Sequence, residues 1–254
     1  MTACASAPPP PSPSARAALA PTGTLRAGIN YGNTILAQKD AATGESRGPA
    51  IELTRELAKR LNVPVELVAY TSVGTMVDGA KAGAWDIAFL GSDPLRAGEM
   101  DFTAAYLELE ATYLVPAGSR LRTIADVDQD GVRVGAPARA NYELYLSRSL
   151  QRANLVRAEN ANAAFELLVS GRVEALAGLR QALLPLAEKL PGSRVLDGRF
   201  MAVQQSVAIP KGRDAGFVYL RAFVEEAKAS GMVARSIEKS GFRGVTVAPR
   251  ADAQ

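Results

Sequence analysis

The chain has 254 residues, a net charge of +3 and a 22% charged fraction, which allows two modest domains and shows no basic run for nucleic acid. It contains no histidine, which removes the usual general base, the Ser-His and Cys-His nucleophile systems and the commonest metal ligand. A single cysteine, Cys4, excludes an internal disulfide and leaves the redox compartment unread; acid–base chemistry by carboxylates stays open.

Residues 1–22 are rich in Ala, Pro and Ser, with PPPPSP at positions 8–13. That composition predicts an extended, disordered tail. It lacks the charged start and apolar run of a signal peptide, so a removed signal, a misplaced gene start and an unexported protein all fit. No apolar stretch is long enough to span a membrane.

A first strand is read at Leu25–Ile29, ending in the polar rim Asn30-Tyr31-Gly32-Asn33. Residues 38–48 read as a surface hairpin or loop. Pro49 opens a helix whose buried stripe is Ile51, Leu57, Ala58 and Leu61, and Asn62 and Pro64 stop it. A strand at 65–70, a helix at 73–81 and a strand at 87–90 follow. This alternation implies a parallel sheet with right-handed crossovers. The third strand stops at Gly91 and runs into Ser92-Asp93-Pro94 and a helical turn carrying Arg96. Ligands of open α/β sheets sit beyond the carboxyl ends of the strands, so Arg96 stands where its guanidinium fork suits a carboxylate; the plainer alternative is a surface arginine paired with Glu99 or Asp101.

Residues 111–115 read as a strand broken by Pro116, the first crossing into a second lobe. Strands at 132–134, 155–157, 175–177 and 194–196 then alternate with helices at 141–151, 161–170 and 181–190. A return strand at 204–209, a long helix at 215–230 and a short helix to Lys239 close the chain.

Several segments together resemble the extracellular solute-binding proteins of ABC transporters, family 3, which include the polar amino acid binders. They are GTLRAGIN at 23–30, PAIELTRELAKRLNVPVELV at 49–68, AGAWDIAFLG at 82–91, the spacing of Arg96 to Asp101-Phe102, SGRVEALAG at 170–178 and VAIPKG at 207–212. The resemblance spans Gly23 to Val247. It implies an α/β, two-lobe periplasmic-binding-protein fold (type II-like) with two hinge strands and a cleft between the lobes. Lobe 1 would comprise 23–114 plus 207–250, and lobe 2 would comprise 115–206. Such proteins close on ligand by hinge motion.

Residue by residue, the resemblance places Arg96 on the family arginine that clamps the ligand carboxylate. Gly91 and Ser92 fall near the family's backbone contacts, in a turn about two residues shorter, beside Asp93. Asn30 stands where the first strand ends in an acidic or polar residue. Ala138 to Asn141 fall at a helix start that offers backbone N–H groups to an anion, with Arg139 as a second clamp or a solvent-facing arginine. Leu179, followed by Arg180, takes the place of the usual Asp that holds an ammonium. An arginine-rich pocket without that acid would repel an ammonium. Asn33 and Ser72 stand where sandwiching aromatics are usual, with Tyr31, Tyr70 and Tyr142 as substitutes. Glu174 reads as structural in its strand context.

Three functions compete. The first, favoured by the resemblance, is a non-enzymatic, monomeric binding component that uses no cofactor or metal. It would hand a small amino acid or organic acid to the membrane permease of an ABC transporter in the periplasm. The second is a dehydratase-like enzyme on the same scaffold, for which Asp93, Glu174 or Glu143 would be the acid. The third is an unexported, cytoplasmic ligand sensor.

Overall fold

The computed structural model describes residues 10–242 and 244–251; Cys4 lies outside them. In chain order the elements are α1 (Pro13–Leu19), β1 (Leu25–Asn30), the hairpin β2 (Gln38–Lys39) and β3 (Ser46–Arg47), α2 (Pro49–Leu61), β4 (Val65–Tyr70), α3 (Val73–Lys81) and β5 (Ile87–Gly91). After a 3-10 turn at Pro94–Arg96 come β6 (Met100–Phe102), β7 (Leu107–Val115), β8 (Arg133–Pro137), α4 (Asn141–Ser149), β9 (Asn154–Ala158), α5 (Ala161–Val169), β10 (Ala175–Leu179) and α6 (Arg180–Lys189). β11 (Arg194–Val195), β12 (Met201–Pro210), α7 (Asp214–Ala229), α8 (Met232–Ser240) and β13 (Thr246–Val247) complete it.

The sheet runs in the order β4-β1-β5-β12-β7-β10-β8-β9. β4, β1 and β5 are parallel, as are β10, β8 and β9. The two parallel groups are joined through β12 and β7. β12 runs antiparallel to β5 over Gln205–Ala208 and to β7 over Met201–Gln205. β7 in turn runs antiparallel to β10 over Ala111–Leu114. Two strands thus belong to both lobes, and these are the hinge strands.

Each lobe's sheet is covered on both faces, as parallel strands require. Successive residues of β5 alternate between two cores: Ile87 and Phe89 enter one with Leu57 of α2 and Phe223 of α7, while Ala88 and Leu90 enter another with Met76 and Trp85. Around the second parallel group Tyr113, Val134 and Ala177 pack on one face, and Leu114, Leu168, Leu176 and Leu183 on the other.

Two readings from sequence are corrected. The first hinge strand begins at Leu107, four residues before the expected start. Its LELE run is a strand pattern, with Leu107 and Leu109 fully buried. Glu108 and Glu110 are taken up by Gln204 (2.8 Å) and Arg180 (2.8 Å). The Ala/Pro/Ser-rich tail is the second correction, because part of it is helical. Ser12 Oγ accepts from Ala15 N at 3.1 Å, and Pro13 occupies the first turn, where its missing N–H does no harm. The alanines that follow favour helix. Ala15 and Leu19 are buried, and α1 docks on α7 at Gly216, where a Cβ would lie 3.0 Å from Ala18 Cβ. Arg16 Nη2 donates to Asn62 O at 2.9 Å.

The same corner holds a fully buried carboxylate. Asp86 precedes β5 and accepts from Arg26 Nε (3.0 Å), Arg26 Nη2 (2.9 Å), the Arg26 backbone N–H (3.1 Å) and Arg213 Nη1 (2.9 Å). Arg213 also reaches Ala18 O of α1 at 3.1 Å. Burial pushes the Asp86 carboxyl up, but the bonds from Arg26 and Arg213 outweigh it and hold the group below its ordinary value.

Candidate functional site

The carboxyl ends of the parallel strands of both lobes converge on one cleft. Asn30 ends β1, Thr71 follows β4, Gly91 ends β5, Pro137 ends β8, Asn160 follows β9 and Leu179 ends β10, and all line the cavity. Its volume of about 130 Å³ is room on the order of ten water molecules. Much of the wall is apolar, with Leu36, Phe89, Leu179 and Val203 among its residues.

Arg96 enters this wall from the 3-10 turn. Asp93 caps that turn by accepting from Leu95 N at 2.9 Å, and Pro94 sets its first residue. Arg96 is 4% exposed. Nη1 donates to Gly91 O at 2.7 Å and Nη2 to Arg139 O at 2.6 Å, so both bonds end on backbone carbonyls. Burial pulls its guanidinium down to about 10, with Asp93 opposing that effect and Arg139 adding to it. The arrangement is a desolvated cation with no carboxylate bonded to it.

The facing lobe meets Arg96 through residues 137–141. Arg139 has a left-handed backbone, φ 61, unusual for a residue with a Cβ. Its carbonyl points at Arg96, and its N–H donates to Glu143 Oε2 at 2.8 Å. Its own guanidinium leaves the cleft wall and grips Asp78 of α3 at 2.9 and 2.8 Å. Ala138 lines the cavity, but its N–H is bonded to Ala158 O at 2.7 Å, and Ala140 N–H to Pro137 O at 3.2 Å. The backbone N–H groups expected at 138 and 139 are therefore committed within the lobe. The helix presents its first turn, Asn141 and Tyr142, to the cleft wall. Asn141 Nδ2 donates to Ser92 O at 2.7 Å across the cleft. Gly91 leaves room for that amide, since a Cβ on it would stand 2.8 Å from Asn141 Cγ.

Of the sequence-derived candidates, the fold brings Asn30, Gly91, Arg96, Ala138 and Asn141 together in the wall. Asn30 Oδ1 accepts from Gly32 N at 2.9 Å and shapes the rim. Ser92, Asp93 and Arg139 stand behind the wall. Ser92 N–H bonds to Gln204 O at 2.9 Å. Asp93 is 4% exposed and paired with Arg148 at 3.0 Å. Arg180 turns away to Glu110 at 2.8 Å. Among the described residues, the expected arginine-rich pocket is thus a pocket with one guanidinium. Tyr142, Asn33 and Ser72 line it, whereas Tyr31 bonds Ser46 at 2.6 Å outside the wall.

Among the described residues no Asp or Glu lines the cleft. The carboxylates considered as acids are engaged elsewhere: Asp93 with Arg148, Glu143 with Arg157 at 2.8 Å and Glu174 with Arg133 at 2.7 Å. Gln205 was missed by sequence reasoning. It is 3% exposed and lines the cleft, and its one signal was a glutamine pair at 204–205 opening an otherwise apolar strand.

The chain is 27% identical to the glutamine-binding protein of Geobacillus stearothermophilus over 184 residues, covering 70% of this chain and 69% of that protein. In fold it matches, with a TM-score of 0.74, an amino acid ABC transporter substrate-binding protein of Streptococcus pneumoniae bound to L-arginine, 23% identical over 88% of this chain and 96% of that one. It also matches the ancestral amino acid-binding protein AncCDT-1, a precursor of cyclohexadienyl dehydratase, at a TM-score of 0.74 and 24% identity, over 88% and 97% of the two chains. Residues 26–241 match the bacterial extracellular solute-binding proteins, family 3, and the chain belongs to that family.

Proposed function

We propose that this protein is the solute-binding component of an ABC transporter. It captures a small carboxylate-bearing solute, an amino acid or related organic acid, between a lobe of residues 23–114 plus 207–250 and a lobe of residues 115–206. It works as a monomer on the outer side of the cytoplasmic membrane and hands its solute to membrane permease subunits. The observation that carries this reading is Arg96, a buried guanidinium facing a cleft with no acidic residue among the described residues. A carboxylate is the solute group that compensates such a cation. The names of relatives agree, since they bind glutamine or arginine.

Closing is supported by the contacts that bridge the lobes: Arg96 to Arg139 O, Asn141 to Ser92 O, Arg139 to Asp78 and Arg148 to Asp93. The dehydratase reading draws on the likeness to AncCDT-1, but the carboxylates it would use face away from the cleft.

A thermal-shift screen of the purified chain against amino acids, dicarboxylates, aromatic acids and small cations tests the reading. Binding to the native state alone adds about 2.7 kcal/mol at a hundredfold excess over Kd. Stabilisation by carboxylate-bearing solutes is expected. Stabilisation only by amines without a carboxylate, or by nothing, contradicts it. With a solute from that screen, Gly91→Ala is expected to bind roughly 5- to 150-fold more weakly, because the added methyl costs closure about 1–3 kcal/mol against Asn141. Unchanged affinity in a calorimetric titration would show that Gly91 and Asn141 do not meet on closing.

A further inference from the structure

Among the described residues, two buried side-chain acceptors in the cleft wall have no hydrogen-bond partner, Asn141 Oδ1 and Gln205 Oε1. The residues are 6% and 3% exposed. Buried polar atoms are normally paired, and an unpaired one calls for a reason. The bond from Asn141 Nδ2 to Ser92 O sets that amide's orientation and leaves Oδ1 as the free acceptor. Gln205 lies directly opposite Gly91 in the ladder between β5 and β12. Opposed residues project to the same face of a sheet, and that is the face of Gly91 on which Asn141 packs. The two amides therefore share one face at Gly91, one from β12 and one from the second lobe. The carbonyl of the same glycine holds Arg96.

Arg96 supplies donors and Asn141 Oδ1 an acceptor, and Gln205, whose amide no hydrogen bond among the described residues holds, adds Oε1 as a second acceptor in the orientation it takes here. A ligand that suits both carries a carboxylate and an N–H or O–H donor. An ammonium satisfies the acceptors but finds no Asp or Glu among the described residues of the wall and sits near a guanidinium that repels it. A second carboxylate offers no donor at all. Resting on the reading of the cleft as a carboxylate site, we propose that Asn141 and Gln205 are the specificity-determining pair of this protein, selecting an uncharged amide or hydroxyl donor on the solute.

Three probes of similar length separate these cases: glutarate monoamide with a neutral amide, 5-aminopentanoate with an ammonium, and glutarate with a second carboxylate. In calorimetric or ligand-observed NMR titrations of the full chain, the monoamide is expected to bind at least about tenfold more tightly than either of the others. A site built around a hydrogen bond discriminates strongly against an analogue that lacks it. Gln205→Glu is expected to shift the preference at least about tenfold toward 5-aminopentanoate. Gln205→Met, which keeps the length and removes the acceptor without burying a charge, is expected to abolish the preference for the monoamide while the protein stays folded by circular dichroism. Any other order of the three probes, an unchanged order in Gln205→Met, or failure of the monoamide to bind overturns the assignment. If another carboxylate in the thermal-shift panel still binds, the cleft reading survives that failure. If none does, both fall.

Discussion

Arg96→Met is expected to remove solute-induced stabilisation while leaving the ligand-free protein folded and melting within a few degrees of the wild type. Truncating one partner of a buried, hydrogen-bonded charge pair costs about 2–5 kcal/mol of binding, so affinity should fall by at least some 30-fold. The stability half of the expectation comes from desolvation. Burial draws Arg96 down to about 10, below its ordinary value, so the folded chain holds this proton less tightly than the unfolded one. The charged side chain therefore subtracts from stability at every pH below about 10, and that cost fades as pH rises from there toward the ordinary arginine value. Methionine removes the cost together with the bonds to Gly91 O and Arg139 O, and because both partners are neutral carbonyls it leaves no buried charge unpaired. Arg96→Lys keeps the charge but loses the fork and should also bind weakly. Thermal melts with and without solute check both halves. A variant that keeps the wild-type shift contradicts the site, and one that unfolds contradicts the desolvation account.

Asp86→Ala is expected to be the most damaging single change to the fold. Asp86 is fully buried and joins β1, the loop before α7 and, through Arg213, the N-terminal helix α1. Its removal strands two guanidinium groups in partly buried positions, a loss of about 3–5 kcal/mol, or roughly 6–20 °C in melting temperature for a chain of this size. The pH dependence follows from the direction of its shift. The Asp86 carboxyl lies below its ordinary value in the folded state, so its stabilisation is full above the ordinary carboxylate range and is lost as pH falls through the folded value. Urea unfolding between pH 3 and 7 should show a wild-type stability that declines toward acid more steeply than that of the variant. Parallel curves would mean that Asp86 is not the tie described here.

Much of the architecture was legible because local signals agreed with one another. Pro49 opening the helix and Asn62 in a left-handed stop put α2 where its apolar stripe placed it. The apolar run at 87–90 marked a strand buried on both faces. What was not legible depends on the fold. Leu107 to Glu110 reads equally as a polar loop until Gln204 and Arg180 are brought to its glutamates. The tail's prolines suggested extended chain, because its apolar residues have no partner in sequence until Gly216 presents a flat surface to Leu19.

The position of Arg96 in the cleft wall was legible from its place after a strand end. Arg139 was not, because a left-handed residue with a full side chain has no sequence signature and sends its guanidinium to Asp78. Asp93 resembled a ligand-facing acid but is neutralised by Arg148, 55 residues later. Gln205 was invisible because a polar residue in a strand looks like an edge position until its ladder partner, Gly91, is known.

The most direct measurement is a calorimetric titration of the full chain with the most stabilising solute of the thermal-shift panel and with its carboxamide, in which the carboxylate is capped. A cleft organised around Arg96 predicts that capping weakens binding at least about 30-fold in the wild type and has little further effect in Arg96→Met. Equal affinity of the two forms for the wild-type protein would contradict the account.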